Sequence, residues 1–195
     1  MPAQSVVQEQ LIDCANELWK EFDRATALRA YFDSCNSMEI VQTIAASNYT
    51  ETANLLRVAV LESWVMSLSR MTEHEGRDRQ NFNLAASLVS KLDFSLLSTE
   101  SARSLNSFLR LWESVDAHAS RERIKHLRSH AIAHSIRHKL NKKQNPNLRD
   151  VQVIHAACAR LIQHLGRGLN TTSISALAPK RVWDERVSRF WAAFK

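Results

Sequence analysis

RERIKHLRSHAIAHSIRHKL, Arg121 to Leu140, is a run of twenty residues without Gly or Pro and with charge on one side of a helical wheel. Such a run predicts a single α-helix. At about 100° per residue, Ile124, Leu127 and Ala131 fall within about 60° of one another and form a narrow apolar seam. His126, His130, His134 and His138 recur every four residues along one flank of that seam, and Arg128 lies on the other flank. Arg128 and His134, six residues apart, are about 120° from each other and straddle the seam. A seam this narrow suits one other helix. If the partner is the same helix of a second subunit, two Arg and two His converge on one cleft. The expectation is a homodimer with the seam buried between its copies.

The charge of this region is local. Nine Lys or Arg and one acid, Glu122, lie between Arg121 and Arg149, a surplus of eight; the chain total is +6, so the remainder sums to −2. Basic charge gathered in one segment is what an anionic partner needs and is not a general solubility surplus. The 195 residues fit one domain with a single substantial core, residues 169–195 forming a C-terminal helical extension. Three Gly and three Pro in the whole chain leave long uninterrupted periodic segments, so the fold class is all-α, a bundle of six to seven helices. No segment approaches 18 consecutive apolar residues, and the N-terminus lacks a charged start followed by an apolar run, which predicts a soluble, cytoplasmic protein without membrane contact. Cys14, Cys35 and Cys158 have no pairing pattern and are expected as buried small side chains.

Along the chain, a first helix to about Ser34 carries Val7, Leu11, Cys14, Leu18, Phe22, Ala25, Leu28 and Phe32 inward. A shorter helix follows from Met38 to Ala46, and Thr50 starts a long one to Thr72 with Leu55, Val58, Leu61, Val65 and Leu68 turned to the core. Phe82 to Leu92 is helical, Asp93 to Ser98 is a connection, and a helix from about Thr99 to Ala117 buries Leu105, Phe108, Leu109, Trp112 and Val115 before leading, through a kink near Asp116 to Ser120, into the basic stretch. Asn141 to Asn147 is a basic turn. Leu148 to Leu165 is a helix stopped by Gly166 and Gly168, and an amphipathic helix from Arg181 to Phe194 ends the chain. Its Trp183, Phe190 and Trp191 could stack nucleic-acid bases, although aromatic stripes of this kind usually belong to a core or an interface.

Arg128-Ser-His-Ala-Ile-Ala-His134, an Arg, five residues and a His, resembles the signature of the HEPN superfamily of small all-α proteins, many of which are metal-independent, dimeric ribonucleases. Leu61-Glu-Ser-Trp-Val-Met-Ser-Leu-Ser-Arg-Met-Thr72 and Asn81-Phe-Asn-Leu-Ala-Ala-Ser-Leu-Val89 are similar to successive helices of its phage-defence, abortive-infection subgroup. Together these stretches carry the resemblance over roughly Leu11 to Leu165. It implies a HEPN-like bundle, an RNA substrate, a homodimer, no metal and no cofactor.

On that resemblance Arg128 and His134 are the catalytic pair. His134 would act as base on a ribose hydroxyl or as acid on the departing oxygen, and Arg128 would stabilise charge gathering on the phosphate. Ser129 and Ser135 stand where members often place Asn, Asp or His and an acid, and with His130 they would be supporting polar groups. Arg121, Lys125, Arg137, Lys142, Lys143 and, on the long helix, Arg70 would meet phosphate, and like charge from the nearer of these would favour a neutral imidazole. The alternatives are an ion pair between Arg128 and a core-facing acid, a hydrogen-bonded His134, and for Arg70 a grip on a neighbouring helix or a surface ion pair. Histidines at i and i+4, His130 with His134 or His134 with His138, could grip zinc, but no third ligand is evident, the H-E-x-x-H pattern is absent and the helix is the most basic part of the chain. The reading is a metal-independent endoribonuclease, toxin-like, in phage defence or paired with an antitoxin protein. Its rival is a non-catalytic helical module that binds RNA or a protein through residues 121–143.

Overall fold

The computed structural model describes residues 4–46, 50–73, 80–128, 147–171 and 178–192. Among them the chain is all-helical: α1 (Gln4–Cys35), α2 (Met38–Ala45), α3 (Thr50–Thr72), α4 (Phe82–Val89), a 3₁₀ turn at Phe94–Leu96, α5 (Thr99–Asp116), α6 (Ala119–Leu127), α7 (Leu148–Gly168) and α8 (Ala178–Ala192). This is the all-α bundle that the scarcity of Gly and Pro predicts, and it agrees with the HEPN-like bundle that the resemblance implies.

The helix starts follow side chains that answer the free N–H groups of a first turn. Asn81 Oδ1 accepts from Leu84 N at 2.8 Å to start α4, Ser98 Oγ accepts from Ser101 N at 3.1 Å to start α5, and Asn147 with Asp150 forms a reciprocal capping box on α7. α6 is capped by His118, whose Nδ1 accepts from Ser120 N at 3.1 Å. That cap makes a full break, and not merely a kink, between α5 and α6.

α1 is the spine. It packs on α3, α4, α7 and α8, while α5 and α7 pack on each other. Val7, Leu11, Cys14, Leu18, Phe22 and Ala25 of α1 join Trp64, Val65 and Leu68 of α3, Leu105 and Phe108 of α5, and Ile154, Cys158 and Leu161 of α7 in one buried cluster. All three cysteines are free and buried. α8 lies along α1, where Trp183 Nε1 donates to Asp23 Oδ1 at 2.8 Å and Tyr31 packs against Phe190 and Trp191. Among the described residues no helix is long and apolar enough to cross a membrane.

Two expectations about the core fail. Leu55 and Val58 are 72% and 54% exposed, because burial on α3 begins only at Trp64. The apolar residues of its N-terminal half are spread around the wheel, so their spacing selects no inward face. Gly166 and Gly168 do not stop α7 but belong to it, and the residue in the left-handed region beyond the helix is Asn170, at φ 54°. Gly168 answers a packing need: a Cβ there would come within 2.5 Å of the Leu105 side chain.

Candidate active site

Three arginines of the basic stretch are resolved in detail, and all three are tied to this chain's own fold. Arg121 is only 4% exposed. Its Nε donates to the Thr72 carbonyl at 2.8 Å, its Nη1 pairs with Asp116 at 3.2 Å and Glu122 at 2.8 Å, and its guanidinium lies 5.9 Å over the Trp112 ring. The expected phosphate contact is therefore corrected: Arg121 is a buried post that fastens the end of α3 to α5 and α6. Arg123 pairs with Asp150 and holds the start of α7. Asp150 also accepts from Ser120 Oγ at 2.6 Å and from Asn147 N at 2.9 Å. The Arg123 hydrogen bonds hold its carboxyl well below the usual carboxylate range.

Arg128, the cap residue of α6, pairs through Nη1 with Oε1 of Glu73 just past the end of α3. Glu73 is buried, and the same oxygen accepts from Ser69 Oγ at 2.9 Å. The side chain of Arg128 remains 27% exposed. Arg121 and Arg128 are seven residues apart, so they share one face of α6 with Ile124 between them. α6 thus grips the end of α3 twice, by the Thr72 carbonyl and by the Glu73 carboxylate.

This also overturns the seam. Ile124 is fully buried in the chain's own core and Leu127 packs against it, so these residues do not await a second copy. Lys125 and His126 are half-buried. Ser129, His130, Ala131, His134, Ser135, Arg137, His138, Lys142 and Lys143, together with the expected helix to Leu140 and most of the turn after it, lie outside the described residues. Among the described residues no group of three or more His, Cys, Asp or Glu could hold a metal ion.

Arg70 stands one turn before the Glu73 pair and reaches across to Glu21 of α1 at 3.5 Å. That is the helix-holding alternative for this residue. It borders a cavity of about 500 Å³ between α1 and α3, with Arg24, Glu62 and Ser67 among the lining.

Glu73 shows no acid–base pairing pattern in the sequence, and Asp150 and His155 are not among the site residues read from it. Their partners are long-range, but one signal was visible: the i, i+7 spacing of Arg121 and Arg128 puts two cations on the face that carries Ile124, which requires carbonyls or carboxylates opposite.

The sequence profile of the HEPN-type family described as AbiU2 matches residues 8–185, nearly the whole chain. The chain belongs to the AbiU2 family of HEPN abortive-infection proteins. No curated protein and no solved structure matches it. For an AbiU2 protein, the Arg of the Arg-x₅-His segment sits at the C-terminal end of α6, half-exposed and backed by a buried acid, at the threshold of the residues that carry His134.

Proposed function

We propose that the chain is a metal-independent endoribonuclease acting in abortive infection, as a toxin held in check by an antitoxin protein or by its trigger, and working as a cytoplasmic homodimer. The observation that carries the reading is the placement of Arg128: the cation of the Arg-x₅-His segment stays part-exposed on a buried acid at the C-terminal end of α6, where the residues leading to His134 begin, while Arg121 of the same face is buried in the fold. His134 takes the proton from a ribose 2′-hydroxyl or gives one to the departing 5′-oxygen. The 2′-oxygen attacks phosphorus, the bond to the 5′-oxygen breaks, and the products are a cyclic phosphate and a free 5′-hydroxyl. Arg128 stabilises the charge that accumulates on the non-bridging oxygens. Lys125, Arg137, Lys142 and Lys143 hold the RNA backbone around the reacting phosphate, with Ser129, His130 and Ser135 as polar neighbours. Ile124 and Leu127 face inward, so the dimer forms on other surfaces.

The second reading is the helical binding module, favoured by the Arg128 to Glu73 ion pair, which a purely structural arginine would also make. One experiment separates them. Purified wild type should cleave RNA in excess chelator, and Arg128→Ala or His134→Ala should lower the rate on the order of a hundredfold or more, while His134→Ala binds RNA nearly as well as wild type. A broad panel of RNAs left intact by pure dimeric wild type would decide for the module.

A further inference from the structure

We propose that Glu73 is the positioning residue of this site: its carboxylate, buried beyond the end of α3, holds the Arg128 guanidinium where the reacting phosphate must come to it. The proposal rests on the ribonuclease reading of Arg128 and His134, and adds a residue outside the Arg-x₅-His segment.

Glu73 is itself held from one turn back, and the residue before it is fixed as well. Ser69 Oγ donates to its Oε1 at 2.9 Å from one turn back on α3. The preceding carbonyl, that of Thr72, accepts from Arg121 Nε at 2.8 Å, which fixes the end of α3 against α6. The hydroxyl of Thr72 in turn donates to the Leu68 carbonyl at 2.9 Å. An acid this constrained offers a fixed point of negative charge to Arg128.

The alternative, that Glu73 masks Arg128 until the arginine swings out to substrate, fails on electrostatics. Glu73 is 7% exposed in its side chain, so departure of the guanidinium would leave a buried carboxylate without its cation, a strongly unfavourable state. Arg128 therefore stays. A guanidinium carries five N–H donors in a planar fork, and Glu73 engages Nη1, so the rest of the fork can meet phosphate without breaking the pair. The RNA backbone would then cross the junction between the ends of α3 and α6.

The test uses the full chain, a mixed-sequence single-stranded RNA that wild type cleaves, and four proteins: wild type, Glu73→Gln, Arg128→Lys and the double variant. Glu73→Gln should lower kcat by about tenfold or more, because misplacing a reacting group by about 1 Å has costs of this order, while the Kd for RNA stays within about twofold. In the Arg128→Lys background, which has already lost the oriented fork, the same change should cost less than about twofold. Glu73→Asp should recover part of the lost kcat. If Glu73→Gln does not fold, Ser69→Ala is read instead, and kcat should fall by about threefold at a temperature where the variant is fully folded.

A Glu73→Gln protein as active as wild type, or more active, overturns the proposal, and so does an unchanged kcat in Ser69→Ala. An equal loss in both backgrounds that tracks thermal stability also overturns it, since that is what a merely structural acid would do. Wild type inert towards RNA overturns the ribonuclease reading and this proposal together, whereas active wild type with an indifferent Glu73 overturns this proposal alone.

Discussion

His155 links acidity to stability through a single buried ring. It lies between α1 and α3 on α7, where Trp64 Nε1 donates to its Nδ1 at 3.1 Å and the Phe22 ring packs 5.0 Å away. An imidazole that accepts at Nδ1 carries its proton on Nε2, and a second proton would break the Trp64 bond. Burial pushes its pKa down to about 3, with the positive charge of Arg29 acting in the same direction. The unfolded chain protonates this group near pH 6.5 while the folded chain does not, so between those values the unfolded state binds more protons and stability falls as pH falls. Wild type should lose about 2 kcal/mol between pH 7 and pH 5 from this residue alone. His155→Gln, which can still accept from Trp64, should show a much flatter profile over that interval in urea unfolding. Asp150 adds to the acid sensitivity lower down: its pKa is depressed, so its contribution is present above the ordinary carboxylate range and lost below it. A wild-type profile level from pH 7 to pH 5 would mean that His155 is accessible to protons in the folded protein.

At the level of elements, what sequence could and could not disclose divides along the range of the interactions. α1, α2, α3 and α5 have bounds close to those expected, because their ends depend on local signals such as Ser98 and Thr50 and on the scarcity of Gly and Pro. The errors arise where distant packing decides. Gly168 looks like a stop in one dimension, yet in the fold it lets α7 approach Leu105 of α5. Leu55 and Val58 stand at helical spacing from Leu61 and Val65, but among the described residues burial on α3 begins only at Trp64. The site divides in the same way. Arg128 was legible in a local motif, whereas Glu73 became visible only once α3 and α6 were brought together. Gly168→Ala tests the packing account, because Leu105 is fully buried and has little room to yield. Overpacking of this kind costs about 1–3 kcal/mol, and the better helix propensity of Ala offsets little at a last helical residue. Chemical denaturation should show the loss, and a variant as stable as wild type would mean that Leu105 can move aside freely.

For the whole molecule, the structure redistributes the charge on which the RNA reading depends. Of the nine Lys and Arg between Arg121 and Arg149, five lie among the described residues, and three of these five, namely Arg121, Arg123 and Arg128, pair with carboxylates of the same chain. Six remain, and of these Lys125 is half-buried and Arg149 exposed, while Arg137, Lys139, Lys142 and Lys143 lie outside the described residues. Binding of an RNA backbone should therefore be governed by these six together with the part of the Arg128 fork that Glu73 does not engage, and salt dependence can count its members. Each phosphate contact on a single strand contributes about 0.7 to the slope of log K against log salt. Changing Lys142 and Lys143 together to Ala should thus reduce the magnitude of that slope by about 1.4 and weaken binding at low salt, with thermal stability unchanged. Arg121→Ala should behave in the opposite manner. Losing a buried cation that holds the Thr72 carbonyl, Asp116 and Glu122 should destabilise the fold, while the slope measured for the protein that remains folded stays as in wild type. Fluorescence anisotropy of a labelled single-stranded RNA over a salt series, run beside thermal unfolding, reads both quantities. A slope that falls in Arg121→Ala but not in the double lysine variant would place the RNA against the face of α6 that packs on α3, and would contradict the division between fold-bound and RNA-facing cations.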